Sequence, residues 1–215
     1  MNETKLDSDL GFIHRFQPAS NGSTRTLLVL HGTGGDESDL IPLAKILDKH
    51  AAILSPRGKT LESGMPRFFR RFAEGVFDIE DLKFRTNELA DFVAKASKKY
   101  EFDPKSVTAV GYSNRANIAA SMLLLRPEAL SGAILFRAML PLEPDKLPDL
   151  AGKRIFLSAG KYDPIVPPDN TRALVELLGK AGASITENWE PSSHSLSQAE
   201  VEKAKLWLRQ SGGEK

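Results

Sequence analysis

Short apolar runs alternate with longer amphipathic segments along most of the chain, and turn-forming residues separate them. Residues 26–30 form a continuous apolar run that ends in a glycine-rich turn, a pattern typical of a buried strand. Residues 79–100 carry Leu, Phe, Val and Ala at helical spacing and predict the longest helix. Strands that alternate with helices of this length indicate an α/β fold, with helices on both faces of a mainly parallel sheet.

The same patterns assign the other elements. Residues 10–16 are a candidate edge strand, and Asp36 or Ser38 is the expected cap of the first helix. Further strands are predicted at 51–55, 107–112, 132–136, 154–159 and 184–189, and further helices at 36–49, 115–126, 168–181 and 197–209.

Residues 59–78 are the least regular part of the chain. Within them, residues 67–72 interleave three arginines with three phenylalanines. We interpret this stretch as a loop whose phenylalanines pack on the edge of the sheet, with contact to a ligand as the alternative. Residues 1–9 and 210–215 are predicted to be flexible tails of a single domain that spans 1–215.

Composition and charge exclude several classes of function. A chain of 215 residues is long enough for one domain with a sizeable core. Lys and Arg number 29 and Asp and Glu number 28, so the net charge of +1 favours neither nucleic acid nor anionic lipid as a partner. Cysteine is absent, which excludes disulfides and thiol chemistry. We expect a cytoplasmic protein without stable membrane insertion, as a monomer or homodimer.

A serine lies where a predicted strand meets a predicted helix. Ser113 stands in the sequence GYSNR at 111–115, between the strand at 107–112 and the helix at 115–126. A serine on so sharp a turn exposes its hydroxyl and leaves neighbouring backbone N–H groups without partners, as an acyl-transfer nucleophile requires. Ser113 is therefore the candidate nucleophile.

A serine hydroxyl is a poor nucleophile unless a base takes its proton, and the chain offers four histidines. His194 lies in a loop between the last predicted strand and the last helix, where it can reach the carboxyl edge of the sheet. It is the candidate base. His14 falls in the candidate edge strand, His50 ends a helix, and His31 is better placed to shape a glycine turn.

The base needs a carboxylate that orients its imidazole. Asp163 follows the strand at 154–159 and is the candidate, with Asp169 and Glu190 as lesser ones. A turn-forming role before Pro164 is the alternative for Asp163. The chain order serine, aspartate, histidine is that of α/β-hydrolases.

A glycine loop, GTGG at 32–35, follows the strand at 26–30. Glycines let backbone N–H groups approach a ligand closely. The N–H of Thr33, together with that of Asn114, is the candidate oxyanion hole.

Six segments together resemble the phospholipase/carboxylesterase group of α/β-hydrolases, close to acyl-protein thioesterases and small bacterial carboxylesterases. They are HGTGGDE at 31–37, SPRG at 55–58, RFFRR at 67–71, EGVFD at 74–78, GYSN at 111–114 and DP at 163–164. The resemblance implies an α/β-hydrolase fold without a large lid domain, no metal or other cofactor, and a small carboxylic ester or thioester as substrate. It also implies a triad of Ser113, Asp163 and His194, with Thr33 and Asn114 as oxyanion donors.

Two positions depart from the family pattern. Arg115 stands where the elbow usually has glycine, and two serines precede His194 where two glycines are common. We expect the elbow still to form, because Gly111 leaves room on its other side, and we expect Arg115 to limit the turnover of simple neutral esters.

The sequence therefore predicts a serine carboxylesterase that hydrolyses short- to medium-chain esters or thioesters through an acyl-enzyme. One alternative is a hydrolase-fold binding or regulatory protein that Arg115 has disabled. The other is an esterase for anionic substrates, held by Arg57, Arg71, Arg115 or Arg137.

Overall fold

The computed structural model describes residues 5–210. Its strands are β1 (Lys5–Asp7), β2 (His14–Gln17), β3 (Thr26–Val29), β4 (Ala52–Pro56), β5 (Thr60–Glu62), β6 (Met65–Arg67), β7 (Arg71–Ala73), β8 (Val76–Phe77), β9 (Val107–Tyr112), β10 (Gly132–Phe136), β11 (Arg154–Gly160) and β12 (Ser184–Glu190). Its helices are α1 (Ile41–Leu47), α2 (Ile79–Tyr100), α3 (Asn114–Leu125), α4 (Pro168–Lys180) and α5 (Gln198–Gln210).

Eight strands form one sheet in the order β1-β2-β4-β3-β9-β10-β11-β12. The pairs β1–β2 and β2–β4 are antiparallel, and every pair from β4 to β12 is parallel. The predicted mainly parallel sheet is thus confirmed. Because β9, β11 and β12 run in the same direction, the loops that follow them meet at one edge of the sheet.

Alternate residues of the central strands face two separate cores, because successive side chains of a strand point to opposite faces. Leu28, Leu135 and Leu157 face the core covered by α2, α3 and α4. Leu27, Ile134 and Phe156 face the core that α1 and α5 cover. The predicted placement of helices on both faces is confirmed.

Residues 60–77 form two small antiparallel hairpins, β5–β6 and β7–β8, where the sequence predicts a loop. Phe68 and Phe69 are buried in the core, as expected, but Phe72 is 75% exposed. Both hairpins lie outside the central sheet.

Two sequence predictions at the front of the chain need correction. Residues 5–7, assigned to a tail, pair with β2, and the hydroxyl of Tyr100 donates a hydrogen bond to Asp7. The strand predicted to begin at residue 10 begins at His14, because Gly11 adopts a φ of 87° in a turn, and it is second from the edge because β1 lies outside it. Gln210, assigned to the C-terminal tail, is the last residue of α5, and the predicted tail residues 1–4 and 211–215 lie outside the described part of the chain.

The helix predicted at 36–49 is shorter than expected. The carboxylate of Asp36 accepts a hydrogen bond from the N–H of Ser38, which closes a local turn instead of capping a helix. The helix starts at Ile41, with Pro42 in its first turn, where no N–H is needed.

Candidate active site

Ser113 lies on a sharp turn between β9 and α3, with φ 60° and ψ −128°. This φ is rare for a residue with a side chain and stores backbone strain at the site. Gly111 makes the turn possible, since a Cβ there would lie 2.6 Å from the backbone of Arg115 and Ala116. The N–H of Ser113 donates to the carbonyl of Phe136 on the neighbouring strand, at 2.7 Å, which fixes the turn against the sheet.

Ser113, His194 and Asp163 form a continuous hydrogen-bonded chain. Ser113 Oγ lies 2.8 Å from Nε2 of His194, and Nδ1 of the same ring lies 2.8 Å from Oδ2 of Asp163. Because an ionised carboxylate only accepts, Nδ1 carries the proton and Nε2 is free to accept from the serine hydroxyl. The arrangement gives the serine a base and the base an orienting carboxylate.

Asp163 is almost fully buried and is itself held by the turn that follows β11. Its Oδ1 accepts from the N–H groups of Ile165 and Val166, at 2.8 and 3.0 Å. The turn-forming role and the contact with His194 therefore occur together, one on each carboxylate oxygen.

Two backbone N–H groups face the Ser113 cavity without a partner. Thr33 and Asn114 both line it, and no acceptor for either N–H is found within residues 5–210. Asn114 is the first residue of α3, so its N–H also lies at the positive end of a helix dipole. Both groups are available to a negatively charged oxygen next to Ser113.

The loop of Thr33 is tied down by a buried histidine. Nδ1 of His31 donates to the carbonyl of Gly32 at 2.7 Å, and Nε2 accepts from the N–H of Gly58 at 2.7 Å. Burial lowers the pKa of His31, which favours the neutral ring that these two bonds require. As the sequence predicts, His31 shapes the turn.

The model of the phospholipase/carboxylesterase family matches residues 14–211. The chain belongs to this family. Membership makes it a hydrolase of the carboxylesterase type, with the α/β-hydrolase fold and no large lid among the described residues.

Individual family members agree with this assignment. The putative hydrolase MhqD of Bacillus subtilis (strain 168) is 47% identical over 188 residues, covering 87% of this chain and 94% of that protein. The crystal structure of the Bacillus cereus carboxylesterase is 50% identical with a TM-score of 0.91, over 94% of this chain and 96% of that one. A structure of YahD with malic acid is 33% identical with a TM-score of 0.86, over 93% and 98%.

Arg137 is one of the four arginines predicted to bind an anionic substrate, but its position in the structure does not fit that role. Its side chain is fully buried, and all three guanidinium nitrogens donate hydrogen bonds. The acceptors on the histidine loop are the carbonyls of Ser193 and Ser195 and the hydroxyl of Ser192. Arg137 therefore holds both sides of His194 and has no donor left for a substrate.

A buried carboxylate completes this support. Glu200, in the first turn of α5, pairs with Arg137 and also accepts from the hydroxyl of Ser158 at 2.6 Å and the N–H of Ser197 at 2.9 Å. The backbone of the histidine loop crosses Gly160 so closely that a Cβ there would lie 2.4 Å from the carbonyl oxygen of Ser193.

The other three predicted arginines also differ in position. Arg71 lines the Ser113 cavity, where it pairs with Glu62. Arg57 pairs with Glu37 and does not line the cavity. Arg115 packs its guanidinium against Gly32 and over the ring of Tyr112, outside the cavity, and no hydrogen bond or ion pair of its side chain is found within residues 5–210.

Arg67, a buried arginine that lines the cavity with Ser113, was not among the four arginines proposed to bind substrate, although contact with a ligand was the alternative for its segment. The only signal was its place in the RFFRR segment. The cavity has a volume of about 200 Å³. A larger cavity of about 330 Å³ opens at the opposite end of the sheet, but neither Ser113 nor any histidine lines it.

Two further observations concern the described residues. No group of three or more His, Asp or Glu in this part of the chain is arranged to hold a metal ion. None of the described helices combines the length and apolar character that a membrane span requires.

Proposed function

We propose that the protein is a serine esterase that hydrolyses small carboxylic esters through an acyl-enzyme. The observation that carries the proposal is the hydrogen-bonded chain from Ser113 Oγ through His194 to Asp163, with 2.8 Å at each step. The Bacillus cereus carboxylesterase, which is 50% identical to this chain, supports carboxylic esters as the class of substrate.

In the first half of the reaction, Ser113 Oγ attacks the ester carbonyl carbon while His194 Nε2 takes the hydroxyl proton. Asp163 stabilises the resulting imidazolium and keeps the ring in place. The Thr33 and Asn114 N–H groups hold the oxyanion of the tetrahedral intermediate. The intermediate collapses, His194 returns the proton to the departing alcohol, and the acyl group remains on Ser113.

In the second half, a water attacks the acyl carbon as His194 takes one of its protons. Collapse of this second intermediate releases the carboxylic acid and restores the Ser113 hydroxyl. Every proton is exchanged with His194, so the two half-reactions use the same groups in reverse order.

The size of the cavity favours the short end of the predicted range of acyl chains. Its volume of about 200 Å³ is below the roughly 300 Å³ at which pockets for drug-sized ligands begin. The presence of malic acid in the YahD structure agrees with a small ligand.

Arg115 does not favour the alternative of a disabled, purely binding protein. Its guanidinium lies against Gly32 and over Tyr112, and Arg115 is not among the residues that line the Ser113 cavity. The elbow retains its positive φ, and the bond between Ser113 and His194 is intact.

The test is labelling with a fluorophosphonate followed by peptide mapping, together with turnover of p-nitrophenyl acetate. We expect the label on Ser113, and we expect Ser113→Ala and His194→Ala each to lower kcat by at least about 10³-fold with an unchanged circular dichroism spectrum. Near wild-type hydrolysis by Ser113→Ala would overturn the proposal.

A further inference from the structure

Arg67 ends β6 and contributes to the wall of the cavity that contains Ser113, Thr33 and Asn114. The residue is only 3% exposed. Its position is fixed by close backbone packing, because a Cβ on Gly58 would lie 2.3 Å from the Arg67 carbonyl oxygen. The main chain at Arg67 is thus fixed, and its side chain lines the same cavity as the candidate nucleophile.

The guanidinium of Arg67 is buried without hydrogen bonds. None of its three nitrogens has an acceptor in hydrogen-bonding geometry within the described residues. Nη1 lies 2.7 Å from Oε2 of Glu62 in an ion pair that is not well aligned as a hydrogen bond, and this carboxylate is the one polar partner of the guanidinium within the described residues. Buried polar groups are nearly always satisfied, and an exception calls for a ligand or another functional reason.

Glu62 is also shared with a second arginine. Arg71 donates to both carboxylate oxygens of Glu62, at 3.1 to 3.3 Å. Arg71 also lies 3.5 Å from the exposed carboxylate of Glu74. Arg115 interacts electrostatically with Arg67 but more strongly with Asp39, so the neighbouring charges are three arginines and three carboxylates. Glu62 is therefore divided between the two arginines that line the cavity, and Arg67 has no carboxylate of its own.

Burial, followed by the charge of Arg71, lowers the pKa of Arg67. An anion that enters the cavity relieves both effects, because it supplies acceptors and opposes the neighbouring positive charge. A carboxylate fits best, since its two oxygens match the planar fork of a guanidinium.

We propose that Arg67, assisted by Arg71, binds a carboxylate of the substrate, so that the preferred substrates are small esters carrying a carboxylate a few bonds from the scissile bond. This inference rests on the proposed ester hydrolysis. The half-esters of short dicarboxylic acids belong to this class, and the cavity of about 200 Å³ suits their size.

The first experiment measures binding without turnover. Succinate is titrated calorimetrically into Ser113→Ala, into Ser113→Ala with Arg67→Met, and into Ser113→Ala with Arg70→Met. Arg70 is the matched control because it belongs to the same segment but is exposed and pairs with Asp78, outside the cavity. We expect Arg67→Met to weaken succinate binding about tenfold or more, as loss of a charge-assisted bidentate contact implies, and Arg70→Met to leave it unchanged.

The second experiment measures the preference for charge. Hydrolysis of monomethyl succinate is compared with that of dimethyl succinate, and release of acetate from acetoxyacetate with that from its methyl ester, by pH-stat. The first pair places the carboxylate on the acyl side of the scissile ester bond, and the second pair places it on the alcohol side. We expect kcat/KM to favour the anion in at least one pair by about tenfold or more, and this ratio to fall in Arg67→Met but partly recover in Arg67→Lys.

The outcomes separate this inference from the proposed function. Hydrolysis of all esters without a charge preference, together with succinate binding that ignores Arg67, would overturn the inference and leave the esterase intact. Binding of succinate that depends on Arg67 in a protein that hydrolyses no ester would overturn the esterase and the ester substrates, and would leave Arg67 only as a carboxylate-binding residue. Inorganic phosphate binding in place of succinate would overturn the choice of a carboxylate.

A further variant covers the case in which Arg67→Met fails to fold. Glu62→Gln removes the internal carboxylate that competes for Arg67, at a partly exposed position that tolerates the change. We expect it to strengthen succinate binding to Ser113→Ala severalfold. Unchanged or weaker binding would count against the inference.

Discussion

The walls of the Ser113 cavity contain two buried arginines whose surroundings are opposite in kind. Arg137 donates from all three guanidinium nitrogens to the histidine loop, β11 and Glu200. Arg67 has the single ion pair with Glu62 and no hydrogen bond within residues 5–210. The two residues have the same chemistry and nearly the same burial, yet only one is satisfied.

The difference separates a structural arginine from a binding one. Burial of a guanidinium costs free energy that hydrogen bonds and an ion pair must offset. Around Arg137 the protein supplies these partners itself, which fixes the loop of His194. Around Arg67 it leaves them out, and the unsatisfied donors are what a ligand can bind. Burial alone therefore does not indicate the role of a charged residue in this cavity.

The largest effect is expected from Arg137→Met. The change leaves Glu200 buried without its cation, so we expect the free energy of unfolding to fall by about 3 to 5 kcal/mol. Because the carbonyls of Ser193 and Ser195 lose their donor, kcat should fall as well. Urea unfolding and ester kinetics measure the two effects. The double variant with Glu200→Met is the control, and it should regain stability but not kcat. A stability loss below 1 kcal/mol would show that the two arginines are alike.

The second prediction compares how Glu200 and Glu62, the carboxylates that pair with Arg137 and Arg67, contribute to stability at low pH. Burial raises the pKa of Glu200, but hydrogen bonds from Arg137, Ser158 and the Ser197 N–H outweigh it, and the net pKa is lowered from 4.5. A lowered folded-state pKa gives stability that is present above the ordinary value and lost as the pH falls through the folded value.

Wild type should therefore lose stability as the pH falls below about 4.5, and Glu200→Gln should lose much less of it over the same range. The pKa of Glu62 is also lowered, chiefly by hydrogen bonds from Arg71, but this side chain is 36% exposed and solvent screens its interactions. Glu62→Gln should follow wild type. Unfolding by urea at several pH values tests this, and parallel curves for wild type and Glu200→Gln would contradict it.

The third prediction concerns the stability of Arg67→Met. Since the change removes a charge with no hydrogen bond, and Glu62 keeps both Arg71 and contact with water, we expect a free energy of unfolding within about 1 kcal/mol of wild type or higher. Thermal and urea unfolding are the measurements. A loss as large as that of Arg137→Met would mean that Arg67 is structural.

The smallest effect is expected from Arg115→Gly. The sequence predicts a severalfold gain in turnover of neutral esters, but the side chain lies against Gly32 and Tyr112 rather than in the cavity. We now expect kcat/KM for neutral and anionic esters to change by no more than about threefold, equivalent to roughly 0.6 kcal/mol. A selective loss of more than tenfold for anionic esters would move the anion site from Arg67 to Arg115.

The sheet was predictable from the sequence, and so were the positions of the three loops that carry the candidate triad. Apolar runs mark the strands, and Ser113, Asp163 and His194 each follow one of them, so a parallel sheet brings them to one edge. The short α1 was less predictable, because Asp36 forms a local turn where a helix cap was expected.

The roles of the arginines were not predictable from local sequence. Arg137 and Glu200 are 63 positions apart, and nothing near either one indicates that they meet in the interior. Arg67 was not among the arginines proposed from the sequence, whereas Arg57 was proposed and is paired with Glu37 in the structure. Whether an arginine is satisfied depends on acceptors that the fold brings from distant segments, and spacing along the chain does not encode them.

Gly58 connects two parts of the cavity, the Thr33 loop and the wall that Arg67 forms. Its N–H holds His31, and through it the loop of Thr33, while its missing Cβ admits the backbone of Arg67. A displacement of the β5–β6 hairpin would therefore reach the Thr33 loop through Gly58, as well as through the hydrogen bond from the Gly34 N–H to the Pro66 carbonyl. The main chain at Gly58 thus links Arg67, which carries a fixed positive charge, to the Thr33 N–H, next to which the negative charge of the oxyanion develops.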